Sequence, residues 1–438
     1  MFSKLKNLKG KKEGALAWNT LMLYILTFSN YFLSLLVVPY ESRILEEAGY
    51  GALGVAMKIM VYFQLFIDFG FLLSATEEVS KNRQDPQRLN VVMTAVTCCK
   101  LALSMLSLGV LVVLCGVIPA WQGRLGFYSL FFIGTMINAL LPDYLYRGME
   151  KMSAITIRTV CIRAFSTAGI FLFLKKPEDI WVIPVLTAVG NFAAVFACFY
   201  DAKKRLNVRF CKVSFGDVWL RMKQSSVFFL SRFATTAYSA LNVIILDLVE
   251  PSQIPGAAGV MIDNPVRGYY AAADKLMDTG KQALSPISDS LYPYMVKHHD
   301  YRLVKKVLLI LEPIILVFCT VMFVIAPWFC EFFFGEGFAP AGKVLRVMLP
   351  TAVVILPSYI FGFPMLSSMG LAKHANYSTI FGSVIHVINL AILYFTGHMN
   401  MITLGAAMSV AEALILGYRL VVIWLHRDRL KEDQHVDP

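Results

Sequence analysis

Several uncharged apolar runs in this chain are long enough to cross about 30 Å of hydrocarbon. Ala15 to Tyr40, Leu101 to Gly123, Leu125 to Pro142 and Val347 to Ala372 contain no Asp, Glu, Lys or Arg. In lipid every backbone N–H and C=O must be satisfied within the protein, and runs of this length meet that demand as helices. The rest of the composition agrees, with 57% of the 438 residues hydrophobic and only 16% charged. The expected class is an all-α polytopic membrane protein, not a soluble enzyme.

Twelve spans are expected, at roughly 17–39, 50–73, 91–117, 125–146, 153–174, 180–200, 225–249, 266–295, 304–329, 342–366, 375–396 and 401–425. Met1 to Lys12 carries five lysines, but the apolar run that follows is too long for the core of a signal peptide and is taken as the first span. With the N-terminus in the cytoplasm, the inner segments hold about 25 basic residues and the outer ones about 6. That asymmetry places both termini inside. It also accounts for the net charge of +11 as a topology signal that meets anionic headgroups, with no nucleic-acid partner. The eight cysteines show no ligand or redox spacing and are expected to behave as small buried hydrophobes.

The chain repeats itself at an offset near 220. Gly49-Tyr50-x-Ala52 recurs as Gly268-Tyr269-x-Ala271, Gly148-Met149-x-Lys151 as Gly370-Leu371-x-Lys373, and Leu141-Pro142-x-Tyr144 has an echo in Leu356-Pro357-x-Tyr359. The same offset superposes spans one to six on seven to twelve. Six spans per half give both halves the same orientation, related by a pseudo-two-fold axis along the membrane normal, with a site expected between them. The expected organisation is an N-terminal lobe over 1–200, a basic cytoplasmic linker over 201–224 and a C-terminal lobe over 225–438.

Placing a charged residue at the centre of a span costs about 2.5–3.5 kcal/mol, so each one needs a reason. The richest set lies between Gly268 and Pro293. At 100° per residue, Asp274, Asp278, Lys281, Ser285 and Asp289 share one face, while Met277, Gly280, Leu284, Ile287 and Leu291 share another. In a chain this apolar, such a polar face is expected to line a wet cavity. Lys58, Arg163, Arg232, Lys275 and Lys281 are the candidate cavity cations, suited to a diphosphate or another anion. Asp274, Asp278, Asp289 and Glu412 either pair with those cations or titrate in ion coupling. Lys100, Arg158, Arg346 and Arg419 are expected to snorkel toward span ends. Nothing in the pattern asks for a metal or a cofactor. Gly337 to Lys343 mimics a Walker A loop, but Val344 stands where Ser or Thr would hold magnesium.

Phe228-Phe229-Leu230-Ser231-Arg232, Gly268-Tyr269-x-Ala271-Ala272-Ala273-Asp274-Lys275-Leu276, Ser285-Pro286-Ile287, Leu291-Tyr292-Pro293, Arg147 to Lys151 and Phe334 to Ala341 carry a resemblance. Through them the chain resembles the bacterial polysaccharide transporters, the Wzx-type lipid-linked oligosaccharide flippases of the multidrug/oligosaccharidyl-lipid/polysaccharide exporter superfamily. The resemblance implies a V-shaped, two-lobe transporter of the inner membrane working by alternating access. It also implies an undecaprenyl-pyrophosphate-linked glycan of O-antigen, capsule or exopolysaccharide type as substrate, held by cationic cavity residues. Membrane lipids, a polysaccharide polymerase and other assembly proteins are the implied partners. Tyr270 and Asp274 depart from the small or neutral residues expected at those positions. Two rival readings are a cation-coupled drug or metabolite antiporter of the same superfamily, which would want a dominant acidic site, and a membrane glycosyltransferase or polymer ligase, which would want a large outer loop. Glu250 to Pro265 is too short for such a loop.

Overall fold

The computed structural model describes residues 12–249 and 265–428. The lysines before Lys12, most of the Glu250 to Pro265 loop and the end of the basic tail lie outside the described residues. Every regular element among the described residues is helical: α1 Lys12–Asp68, α2 Phe71–Lys81, α3 Pro86–Val117, α4 Leu125–Ala139, α5 Asp143–Gly148, α6 Met152–Phe173, α7 Val182–Arg205, α8 Phe215–Val249, α9 Val266–His298, α10 Tyr301–Phe334, α11 Ala341–Phe361, α12 Phe363–Ser368, α13 Ala372–Phe395 and α14 Met401–Leu425, with short 3-10 turns at Pro119–Trp121 and Pro177–Trp181. These supply all twelve expected passages. The first two form a single helix broken at Glu46, where φ is 55°. Passages two, four and ten are each split, at Phe69 and Gly70, at Leu140 to Pro142 and at Gly362.

Nine helical stretches among the described residues are long and apolar enough to span a membrane, Leu26–Lys81 counting as one. α9 is not among them, because its charged stripe lowers its hydropathy, and α8 contributes only the shorter apolar stretch Ala240–Val249. α10 shows the opposite pattern. Leu309, Ile314, Val317, Phe318, Val321, Val324 and Trp328 are all exposed on it, an apolar surface that only lipid tails would cover.

The helices gather into two compact units. One holds residues 12–45 and Ala56–Phe233, the other Glu46–Val55 and residues 234–249 and 265–428. The first unit's core packs Phe71 and Val79 of α2, Val92 and Val96 of α3, Leu145 of α5 and Cys198 of α7. In the second, Leu291 and Met295 of α9 meet Leu356 and Ile360 of α11, Leu366 of α12 and Val422 of α14.

The duplication is visible in the backbone itself. α5 and α12 are six-residue elbow helices at an offset of 220. Each is followed by a left-handed residue, Glu150 with φ 55° and Gly370 with φ 73°. Each is then closed by an equivalent backbone bond, Lys151 N–H to Tyr146 O at 2.8 Å and Leu371 N–H to Leu366 O at 2.7 Å. The Leu356-Pro357 echo is therefore not the repeat partner of Leu141-Pro142. It lies inside α11, and the counterpart of Pro142, which precedes α5, is Gly362, which precedes α12.

Glycine sets the closest helix approach in the second unit. The segment 46–55 crosses the start of α9, and a methyl at Gly51 would come within 2.6 Å of the Gly268 amide nitrogen. A methyl at Gly268 would land on the Glu47 carbonyl. Gly54 faces Ala271 in the same crossing. The repeat-related motifs Gly49 to Ala52 and Gly268 to Ala271 therefore pack against each other, as small residues do where helices associate in lipid.

Candidate functional site

α9 positions the site residues of the second unit. It lies against α11 and the elbow helix α12, with α14 alongside. Of its apolar face, Met277 and Leu291 are buried there at 4% and 6% exposed, Leu284 and Ile287 are half-buried and Gly280 is exposed. The same rotation turns Lys281 toward α14, where its Nζ donates to Glu412 Oε1 at 2.9 Å. The two side chains are only 10% and 4% exposed, so the pair is shut away from solvent. Asp274 is buried about two turns earlier on the same helix, Lys275 and Asp278 are half-buried, and Asp289 is exposed nearer the helix end.

A second buried polar group sits beside this one. Asn242 of α8 donates through Nδ2 to the Tyr270 hydroxyl at 2.8 Å, and its Oδ1 lies 2.8 Å from His386 Nε2 of α13. With Asn242 oriented in this way, the imidazole Nε2–H is the donor. Tyr270, one of the departures from the resemblance, is fully buried and is the α9 member of this trio. At the start of α9, Arg267 pairs with Asp247 of α8, both side chains 0% exposed. In the sequence Arg267 counts as an outer-segment basic residue. Its position in the first helical turn gives it a buried carboxylate instead.

The snorkelling expectation is corrected for three residues. Lys100 is 5% exposed, and its ammonium bonds Asp68 Oδ1 at 3.1 Å and the Ala139 carbonyl, an acceptor freed where α4 ends. Arg158 grips both oxygens of Asp143 at 2.6 and 3.2 Å. Arg419 bonds the Ser358 carbonyl and hydroxyl and the Ser378 hydroxyl, within the second unit's interior. Arg346 is half-buried and has its own explanation. Pro327 cannot donate to the carbonyl four residues earlier, and Arg346 Nε fills that vacancy at Phe323 O, 2.7 Å away, with Nη2 on Val324 O at 3.0 Å.

Among the candidate cations, the structure brings Lys281 to Glu412. Lys275 lies on the same helix in the second unit, whereas Lys58, Arg163 and Arg232 belong to the first. Lys58 and Arg232 are half-buried and Arg163 is exposed. Five of the eight cysteines are buried as expected, Cys211 is partly so, and Cys98 and Cys161 are exposed. Sequence reasoning overlooked His386 and Asp247. Both were detectable as isolated polar residues inside apolar runs, but neither falls in a motif.

The chain was compared with known proteins. The polysaccharide biosynthesis protein family matches over residues 16–299. A protein named "Putative O-antigen transporter" from Shigella dysenteriae is 24% identical over 390 residues, covering 88% of this chain and 94% of the relative. Its namesake from Escherichia coli (strain K12) is 22% identical over 420 residues, covering 94% and 97%. Among solved structures, the lipid II flippase MurJ in an inward closed conformation aligns with a TM-score of 0.69 at 13% identity, covering 92% of this chain and 87% of its own. An inward-facing multidrug resistance transporter of the MATE family, in the MOP superfamily, aligns with a TM-score of 0.68 at 12% identity, covering 96% and 100%. At these identities the structural likeness establishes the fold, a two-lobe all-helical transporter architecture. The matched span, the two relatives and this fold agree with the residues that first suggested the family, and the chain belongs to the polysaccharide biosynthesis protein family, as a Wzx-type membrane polysaccharide transporter.

Proposed function

We propose that this protein is a flippase that moves undecaprenyl-pyrophosphate-linked oligosaccharide repeat units from the cytoplasmic to the outer leaflet of the bacterial inner membrane. The observation that carries this reading is the Lys281–Glu412 pair. A cation is held inside a lipid-embedded unit by a carboxylate, and the diphosphate of an incoming substrate is a stronger anion that can take the carboxylate's place. Lys58, Arg163, Arg232 and Lys275 are the further cations assigned to the headgroup, while the polyprenyl tail stays in lipid. Asp274, Asp278 and Asp289 offset the local charge or couple the cycle to an ion. Both termini face the cytoplasm in this reading, and the lobes 1–200 and 225–438, joined by the 201–224 linker, alternate in access. The names of the two sequence relatives and the fold shared with a lipid II flippase support it.

The test is to delete the gene in its host and follow lipid-linked glycan in both leaflets together with surface polymer. Complete repeat units trapped on the cytoplasmic leaflet, with polymer lost, are the expected result. Charge removal at Arg232 or Lys275 should reproduce that phenotype with the protein still in the membrane. Normal glycan distribution with altered tolerance of cationic compounds would replace this reading with the antiporter. Glycan that reaches the outer leaflet but stays unpolymerised would point to an enzyme.

A further inference from the structure

The first unit contains a cavity of about 600 Å³ that no step of the proposed flipping uses. It lies between two facing helical stripes. On α6 the lining positions 154, 157, 158, 161, 162 and 165 follow the three-four spacing of one helix face, and on α7 positions 190, 193, 194, 197, 198 and 201 do the same. The α7 stripe is Gly190, Ala193, Ala194 and Ala197 through most of its length, so the wall there is little more than backbone. Small residues spaced in this way usually admit a neighbouring helix. Here the neighbour, α6, comes close at Gly190, where a methyl would meet Ile162 at 2.9 Å, and at the polar end, where Arg158 Nη1 donates to Cys198 Sγ at 3.5 Å, and the cavity lies along the stripe between these contacts.

The cavity is polar at one end and apolar along the rest. Arg158, Tyr146, Asp201 and Arg205 line the polar end. Arg158 is held there by Asp143, and Tyr146 donates to Asp201 Oδ2 at 3.0 Å, so the groups are fixed in place. Arg205 sits 3.2 Å from Asp201, yet its side chain is 79% exposed. Among the described residues the buried Nε–H of Arg158 meets no acceptor. The two cations that line this end, Arg158 and Arg205, face the carboxylates of Asp143 and Asp201, and Lys203 and Lys204, exposed on the same helix outside the lining, add positive charge nearby. From position 154 to 165 the α6 wall runs about 16 Å at 1.5 Å per residue, close to one leaflet of a hydrocarbon core about 30 Å thick.

We propose that this groove binds one anionic glycerophospholipid, its phosphate at Arg158 and Arg205 and one acyl chain laid between α6 and α7. The length of one leaflet matches a single lipid chain entering from one membrane face. The positive charge that Lys203 and Lys204 add near the mouth favours a negatively charged headgroup over a zwitterionic one. The proposal stands independently of the flipping reading, since it concerns a structural lipid and not the cargo.

Native mass spectrometry of the delipidated full chain, titrated with phosphatidylglycerol, phosphatidylcholine or a polyprenyl phosphate, tests it. Wild type is expected to retain phosphatidylglycerol with at least about fivefold preference over phosphatidylcholine at low ionic strength. R205Q, at an exposed side chain whose loss leaves the fold intact, should lower the preference, and A193F, which fills the groove, should lower retention of both phospholipids. Equal retention of the two phospholipids by wild type would overturn the proposal, as would variants that bind like wild type. Preferential retention of the polyprenyl phosphate would give the groove to the cargo's tail instead. A dimer that forms through this face and vanishes in A193F would give it to a second copy of the chain.

Discussion

Replacing Lys281 by Met would leave Glu412 inside the second unit with no ammonium 2.9 Å away. Removing one partner of a buried ion pair costs about 3–5 kcal/mol. The cost of a lone carboxylate at the centre of a membrane helix, about 2.5–3.5 kcal/mol, sets a similar floor. The two figures overlap near 3 kcal/mol, or about a hundredfold in the folded-to-unfolded ratio. In the double variant K281M/E412L neither charge needs to be desolvated, so most of the stability should return. Transport should not return with it, because the proposed diphosphate contact is gone in both variants. Thermal unfolding in detergent, run beside complementation of surface polymer, reads the two effects separately. K281M with wild-type stability would refute the energetic argument. Restored export in K281M/E412L would refute the role given to Lys281, leaving the pair as a structural strut.

Other outcomes follow from single contacts. G268A would drive its methyl into the Glu47 carbonyl, where backbone cannot yield, and should cost at least the about 1–3 kcal/mol typical of overpacking; G280A, with nothing within 4 Å, is the neutral control, and unfolding measurements that rank the two alike would sink the helix-crossing argument. R346M should destabilise by about 2 kcal/mol through two lost charge-assisted bonds, and adding P327A, which restores an N–H for the Phe323 carbonyl, should recover part of that loss in a double-mutant cycle. At the start of α8, ahead of the span, the Ser214 hydroxyl and then its amide hold the Asp217 carboxyl below the usual carboxylate range. A lowered folded value means the cap is intact above the ordinary carboxylate pKa and is lost as pH falls through the lowered one, so the hydrogen-exchange protection factor of that turn should fall under acid in wild type and stay constant with pH in D217N.

The spans were legible because their signal is length without charge, which survives any detail of packing. The elbows were harder to see. Span ten holds Pro350, Pro357 and Pro364, and only the third begins a new helix, because Gly362 ahead of it lets the backbone turn while the other two are absorbed inside α11. The polar stripe of α9 was evident from its period, yet the partner of Lys281 is 131 residues away, beyond the reach of helical spacing. Snorkelling failed for Lys100 and Arg158 for a related reason. Distance to a span end says nothing about a carboxylate on the neighbouring helix, and Asp68 and Asp143 are what keep those cations inside. His386 carried no signal beyond its presence in an apolar run, and only folding brings it to Asn242.

The two elbows also show how the repeats diverged. In the first unit Arg158 of α6 anchors Asp143, the first residue of its elbow helix. The positions 220 further on are Ser378 and Phe363, so the second unit has neither the arginine nor the carboxylate there. It places Arg419 of α14 in the equivalent interior, and that guanidinium bonds Ser378 itself at 2.9 Å together with Ser358. The Arg158–Asp143 ion pair thus has no counterpart at Ser378 and Phe363, and the two arginines should respond differently to truncation. R158A strands a carboxylate that is 27% exposed, so its cost is partly relieved by water and should be largely recovered in R158A/D143A. R419A strands the Ser358 carbonyl and hydroxyl and the Ser378 hydroxyl, at about 1–3 kcal/mol for buried groups left unmet. S378R in the R419A background should fail to restore stability, since Phe363 offers no carboxylate to receive the new guanidinium, whereas adding F363D supplies one. Unfolding temperatures of these variants decide the matter. Rescue by S378R without F363D would mean that the elbow needs only a buried cation, and the pairing argument for Arg158 would fall with it.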